Sequence, residues 1–121
     1  MIQMQTNLVA ADNSGAKLIR VIQPVNKSKK TAGLAEAVTA AVISATPHSA
    51  IKQKKVVKAV IVRLRRPYLR QDGSVIKFDD SAAVLINPDK TPVANRISGP
   101  VCQELRNSPF ARIATLSREV L

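Results

Sequence analysis

Short apolar runs separated by turn-forming residues follow one another through the first 87 positions, and this pattern predicts a succession of strands. The apolar run 7–11 is followed by Asp12-Asn13-Ser14-Gly15, which is typical of a tight turn, and then by the stretch AKLIRVIQ. Together they predict a hairpin over residues 7–23. Pro24 ends it, because proline has no N–H to donate to a strand ladder.

Two longer apolar stretches predict further strands. The segment 35–45, AEAVTAAVISA, is rich in alanine, which allows a helix, but its four β-branched residues favour a strand. The segment 55–65, KVVKAVIVRLR, is nearly continuous in β-branched residues. It predicts a strand whose middle is buried on both faces.

A projecting hairpin is predicted next. Pro67 cannot donate to a sheet ladder and Asp72-Gly73 is a strong turn signal, so residues 66–73 form the protruding end and SVIKF the return strand. The run AAVLIN, residues 82–87, is the last predicted strand. Six short β segments spaced by turns indicate an all-β barrel or sandwich.

The end of the chain changes character after a proline-rich loop over 88–100. The stretches VCQELR and FARIATLSREVL have no alternation of apolar and polar residues and predict two short helices. Phe110, Ile113 and Leu116 share one side of the second helix, and we expect that side to pack on the chain's own strands. With 121 residues we expect a single domain, a barrel over about 1–90 and the loop and helices over about 91–121.

Charge is distributed unevenly along the chain, whose formal net charge is +11. Residues 1–70 hold 13 of the 19 basic residues and 2 of the 8 acidic ones, so the whole excess lies there; residues 71–121 hold six of each. Such asymmetry indicates a polyanionic partner, most often nucleic acid or an anionic membrane. The membrane is disfavoured because the basic residues fall on strands and loops instead of an amphipathic helix.

The sequence offers no poised catalytic group. His48, the only histidine, lies in a polar loop without an orienting partner, and the single Cys102 sits among apolar neighbours as a small buried hydrophobe. Asp79 and Asp80 are adjacent and point apart in a strand or turn. We therefore expect no catalytic residues, no metal and no cofactor.

Binding is better supported, by three basic clusters between residues 27 and 70. Arginine forks suit phosphate, and an aromatic ring stacks on an unpaired base or ribose. We expect Arg63 and Arg65 to share one strand face and Arg66 and Arg70 to lie at the hairpin end. The residues expected to contact nucleic acid are Lys27, Lys29, Lys30, Lys52, Lys54, Lys55, Arg63, Arg65, Arg66, Tyr68 and Arg70.

Three segments resemble the large-subunit ribosomal protein fourteen family: MIQMQTNLVAADNSGAK, KAVIVRLRRPYLRQDGSVIKFDDSAAVLIN and RISGPVCQELRNSPFARIATLSREVL. The middle one is the most diagnostic, with its aliphatic run 59–62, Asp72-Gly73, Phe78 and Val84-Leu85. The resemblance covers nearly the whole chain and is weakest over 24–50.

The resemblance implies a closed five-stranded β-barrel with a projecting basic hairpin and short C-terminal helices. It implies a structural protein of the large ribosomal subunit that binds large-subunit ribosomal RNA and joins an intersubunit bridge near the factor-binding side. The implied partners are small-subunit ribosomal RNA, large-subunit proteins three and nineteen, and a ribosome silencing factor. The positions matching the silencing-factor surface are Asn95, Arg96, Arg112 and Thr115.

This chain departs from the family pattern at three places. Ser81 stands where the family usually has Asn, Ala35-Glu36 where it has Gly-Asp, and Ala94-Asn95 where it has Gly-Thr. Losing two glycines is expected to change turn geometry, and Asn95 alters the silencing-factor contact. The departures favour an organellar ribosome, in the mitochondrial matrix or plastid stroma, over the bacterial cytoplasm.

Two other functions stay open. A free-standing small-barrel RNA chaperone usually stacks bases on several aromatic residues of one sheet face, whereas this chain has one Tyr and two Phe. A small enzyme needs a paired acid, base or nucleophile, which the sequence does not offer.

Overall fold

The computed structural model describes residues 6–12, 15–25, 31–45, 56–70, 72–87, 89–93, 96–107, 109–117 and 119–121. The strands are β1 (Asn7–Ala10), β2 (Ala16–Pro24), β3 (Ala37–Ala45), β4 (Val56–Arg63), β5 (Tyr68–Leu69), β6 (Val75–Ile76) and β7 (Ala82–Ile86). A 3₁₀ helix (Gln103–Asn107) and helix α1 (Ala111–Leu116) follow. Within the residues that the structure describes, no helix is long and apolar enough to cross a membrane.

Five strands form a closed barrel in the order β1-β2-β3-β4-β7. Neighbouring strands are antiparallel except β1 and β7, which close the barrel in parallel, with Val9 opposite Ala82. Backbone bonds extend this closure: the Ala11 amide donates to the Ala83 carbonyl oxygen at 2.9 Å. The predicted five-stranded barrel, its first hairpin and the strand assignment of 35–45 are confirmed.

The barrel encloses an aliphatic core. Strand β3 alternates between buried and half-buried residues, as expected for one face against the core. By contrast, 59–63 in β4 and all of β7 are continuously buried. The C-terminal segment covers their outer side: the Cys102 amide donates to the Val62 carbonyl oxygen at 3.1 Å, and Leu105 and Ile113 are fully buried. The predicted two-sided burial of the fourth strand is confirmed.

The C-terminal segment contains less α-helix than the sequence pattern predicts. The first predicted helix is a 3₁₀ helix, and α1 ends at Leu116 instead of continuing to residue 121. Ser117 is extended, and Val120 then forms a parallel bridge with Val101. That bridge satisfies backbone groups that a longer helix would have used. The apolar side of α1 packs as expected, since Phe110 and Ile113 are buried, while Leu116 is half-buried.

Strands β5 and β6 form a separate two-stranded sheet beside the barrel, with Tyr68 opposite Ile76. Its turn is closed by the Arg70 amide, which donates to the Ser74 carbonyl oxygen at 2.8 Å. Gly73 has φ +90°, a backbone conformation that glycine adopts without strain. The Asp72 carboxylate accepts from the Ser74 amide and hydroxyl. The predicted projecting hairpin and its Asp-Gly turn are confirmed.

Position 35 has a left-handed backbone although its residue is alanine, with φ +63°. The turn is well bonded: the Gly33 amide donates to Glu36 Oε2 at 2.9 Å, and the Ala35 amide donates to the Ile61 carbonyl oxygen at 2.9 Å. Ala35 therefore occupies a left-handed turn under strain. The other replaced glycine position, Ala94, lies outside the described residues.

Restoring glycine at this turn should stabilise the protein. An L side chain in the left-handed region costs about 1–2 kcal/mol, partly offset by the greater freedom of glycine in the unfolded chain. We expect Ala35→Gly to raise the free energy of unfolding by about 1 kcal/mol, measured by urea denaturation. The matched control is Ala37→Gly in β3, where the backbone is extended and the free energy should fall. A loss of stability in both variants would show that Ala35 carries no strain.

Candidate nucleic-acid interface

Arg63, at the end of β4, is one of the residues expected to contact nucleic acid, yet its side chain lies inside the protein. It is 8% exposed. Its Nε is 3.0 Å from Asp80 Oδ1, and its Nη1 donates to the Ser98 carbonyl oxygen at 3.1 Å. Through these contacts the guanidinium connects the end of β4 to Asp80, which precedes β7, and to Ser98 in the C-terminal segment.

The expectation that Arg63 and Arg65 share one strand face is wrong. Strand β4 ends at Arg63, and its pairing with β7 shifts register between Ile61 and Arg63. The shift disrupts the simple alternation of faces. As a result Arg63 and Leu64 are both buried, whereas Arg65 is exposed.

Gly99 makes room for the buried guanidinium. Its φ is +79°, and a Cβ added there would lie 1.9 Å from Arg63 Nη1. Glycine is therefore required for two reasons, the backbone conformation and the close approach of the arginine.

Arg70 also turns inward, although it lies at the hairpin end as expected. Its Nε is 2.6 Å from Glu104 Oε1, and its Nη2 donates to the Leu121 carbonyl oxygen at 2.5 Å. Only 14% of the side chain is exposed. Arg70 therefore attaches the hairpin to the 3₁₀ helix and to the end of the described chain.

Arg65 and Arg66 are exposed and lie at the base of the hairpin, before β5. The expectation that Arg66 lies at the hairpin end is therefore wrong, because the turn is closed between Arg70 and Ser74. The Arg65 amide donates to Ser81 Oγ at 3.0 Å, so the serine that replaces asparagine holds the backbone at this position. Tyr68, half-buried, follows two residues later in β5. The structure thus places two exposed cations and one aromatic residue within four positions of the chain, a combination that suits phosphate and a base or sugar.

Six of the lysines expected to contact RNA lie outside the described residues, as do His48 and Asn95. The lysines concerned are Lys27, Lys29, Lys30, Lys52, Lys54 and Lys55. Their assignment to RNA stays a prediction.

Helix α1 brings together two of the residues matching the silencing-factor surface. Arg112 and Thr115 are exposed and three positions apart, so they share one side of the helix. Arg112 also lies near the turn after β7: hydrogen bonds from Thr91 chiefly, and the Arg112 charge to a smaller extent, lower the pKa of Asp89. Arg96 is exposed in the preceding loop.

A groove of about 600 Å³, which the sequence pattern does not predict, separates the hairpin from the 3₁₀ helix. Residues 68–70 and Asp72 line one side, and Gln103, Glu104 and Arg106 line the other. The two sides are more than 30 residues apart in the chain, so no local pattern points to their meeting.

A family model described as ribosomal protein L14p/L23e matches residues 1–121. This chain belongs to the ribosomal protein L14p/L23e family. The L14p/L23e proteins are components of the large ribosomal subunit, in agreement with the resemblance seen in the sequence. The organellar location expected from Ala35 and the other departures stays a prediction.

The L14p/L23e chain buries its only cysteine, as expected. Cys102 is fully buried, and burial first, with the nearby Glu104 carboxylate second, raises the pKa of its thiol to about 12. Among the described residues no group of three or more His, Cys, Asp or Glu side chains is placed to hold a metal ion.

Replacing Gly99 should test whether the buried position of the Arg63 guanidinium requires a residue without a side chain at position 99. Gly99→Ala adds backbone strain and a clash with Arg63, and we expect it to lower the free energy of unfolding by about 2 kcal/mol or more. Gly73→Ala is the matched control, because Gly73 also has positive φ but nothing lies within 4 Å of the added Cβ. Chemical denaturation should show the larger loss for Gly99→Ala. Equal losses in both variants would contradict a steric role for Arg63.

The free energy of unfolding at alkaline pH should depend on the raised pKa of the buried Cys102 thiol. The folded-state pKa is about 12 against an ordinary 9.0, so the unfolded chain loses this proton first as the pH rises. The protonated thiol therefore makes its full contribution to the free energy of unfolding below pH 9, and this contribution is lost between pH 9 and 12. We expect the free energy of unfolding to fall more steeply over this window than in Cys102→Ala. Identical pH slopes would show that the thiol ionises equally well in the folded protein.

Proposed function

We propose that this large-subunit protein binds ribosomal RNA through the base of its projecting hairpin, at Arg65, Arg66 and Tyr68. The observation that carries the proposal is that only two of the four arginines between residues 63 and 70 are exposed. Arg63 and Arg70 are engaged inside the protein, while Arg65 and Arg66 are exposed.

The exposed pair is presented on a supported backbone. Arg66 is followed by Pro67, whose ring restricts the backbone before β5, and the Arg65 amide is held by Ser81. Phosphate binds a positioned guanidinium better than a mobile one, because less side-chain freedom is lost on contact. The formal charge of +11 supports the attraction of a polyanion over longer distances.

We further propose that Lys27, Lys29, Lys30, Lys52, Lys54 and Lys55 extend this contact along the RNA. They belong to the half of the chain that carries the whole charge excess. Lys58, the last lysine of the cluster that begins at Lys52, is exposed on β4. This supports an outward position for positive charge near that strand.

The exposed side of α1 is the proposed protein-facing surface. Arg112 and Thr115 lie there, outside the charge excess of the first 70 residues. A silencing factor, if it docks, uses this side with Arg96 and Asn95. Contacts with proteins three and nineteen, and with small-subunit RNA in an intersubunit bridge, are carried over from the family resemblance.

The salt dependence of RNA binding tests the hairpin assignment. Each lost phosphate contact should reduce the slope of log affinity against log salt by about 1, so Arg65→Ala combined with Arg66→Ala should reduce it by about 2. The measurement is filter binding to a large-subunit ribosomal RNA fragment over a salt series.

Arg70→Ala is the matched control, since it removes the same charge from an internally paired residue. It should lower stability and leave the salt slope nearly unchanged. A slope that responds to Arg70→Ala as strongly as to the double variant would contradict the assignment of phosphate contacts to the exposed pair.

A further inference from the structure

We propose that the groove between the hairpin and the 3₁₀ helix receives one unpaired nucleobase of the bound RNA. This rests on the RNA binding proposed above and adds to it a site for a base instead of a phosphate. The volume of about 600 Å³ lies within the range of pockets for small ligands.

The charges that line the groove disfavour phosphate at its floor. The Arg70 guanidinium is already engaged by Glu104 and the Leu121 carbonyl oxygen, so it offers little charge to a further anion. Asp72, exposed on the hairpin side, is a carboxylate, and hydrogen bonds from Ser74 lower its pKa. A phosphate inside would meet this carboxylate, whereas an uncharged base would not.

The same groove offers surface that suits a planar ring. Tyr68, half-buried and packed in part against the core, lines the groove, and its neighbour Leu69 is 70% exposed, which leaves apolar area in water. A base that stacks on an aromatic residue removes such area from water. Exposed Gln103 supplies an amide that can donate to or accept from a base edge.

One exposed cation lines the groove and can contact the phosphate of a nucleotide whose base enters it. Arg106 is exposed on the 3₁₀ helix side of the groove. Arg65 and Arg66 precede Tyr68 in the chain by only three and two residues. A basic side chain from a neighbouring protein is the rival occupant, but Arg106 repels it and the net charge of the chain disfavours it.

The experiment uses the fact that Tyr68 is the only tyrosine. Selective tyrosine labelling gives one set of ring signals by NMR, which reports directly on the groove. The full chain is titrated with AMP, with ribose phosphate, which keeps the charge but lacks the base, and with a short lysine peptide. Arg106→Ala is the test variant, and Lys17→Ala, an exposed residue of β2, is the charge-matched control.

We expect AMP to shift the Tyr68 ring signals saturably and to bind about fivefold or more tightly than ribose phosphate. Arg106→Ala should weaken AMP binding, and Lys17→Ala should not. Equal affinity for AMP and ribose phosphate, or no shift at millimolar AMP, would overturn the base site. A stronger response to the lysine peptide would overturn it in favour of a protein occupant. In each of these cases the salt-slope result for Arg65 and Arg66 would still decide RNA binding independently.

Discussion

The buried guanidinium of Arg63 is the interaction on which the arrangement of the outer elements depends. It lies where β4 leaves the barrel, and it reaches both the acidic residue before β7 and a carbonyl group of the C-terminal segment. Burying a cation is unfavourable unless it is paired and hydrogen-bonded, and here both conditions hold. The cost of desolvation thereby selects one relative placement of three chain segments. Gly99 completes the arrangement because any side chain at that position would occupy the space of the guanidinium.

A second inward arginine repeats this construction at the far end of the hairpin. Arg70 binds a carboxylate and a backbone carbonyl, as Arg63 does, and the partners again come from the C-terminal segment. Arginine suits both places because its planar group carries several donors in fixed directions. Arg65 and Arg66, which lie between them on the chain, are exposed to solvent. Residues 63–70 thus contain both the arginines that hold the hairpin against the C-terminal segment and the exposed arginines that are candidates for RNA binding.

The strands and their turns follow from local chemistry, and they could be predicted from the sequence. β-branched runs, the Asp72-Gly73 turn and the continuous apolar stretch of β4 each act over a few residues. The inward course of Arg63 and Arg70 was not predictable, since it depends on partners 17 to 51 positions away. The helix α1 was predicted too long, because the bridge between Val101 and Val120 competes for its last backbone groups. The groove beside Tyr68 was missed for the same reason: its second side comes from a distant segment.

The inward arginines also bear on the order of events during assembly of a ribonucleoprotein. Many basic segments stay disordered until nucleic acid neutralises them, and they then spend part of their binding free energy on becoming ordered. This hairpin is fastened by the protein's own acidic and carbonyl groups. The contacts that hold its shape are intramolecular, so RNA bound as proposed would meet a preformed surface, and the entropic penalty of ordering would fall on protein folding. The proposed RNA binding would then resemble the docking of a rigid body more than folding coupled to binding.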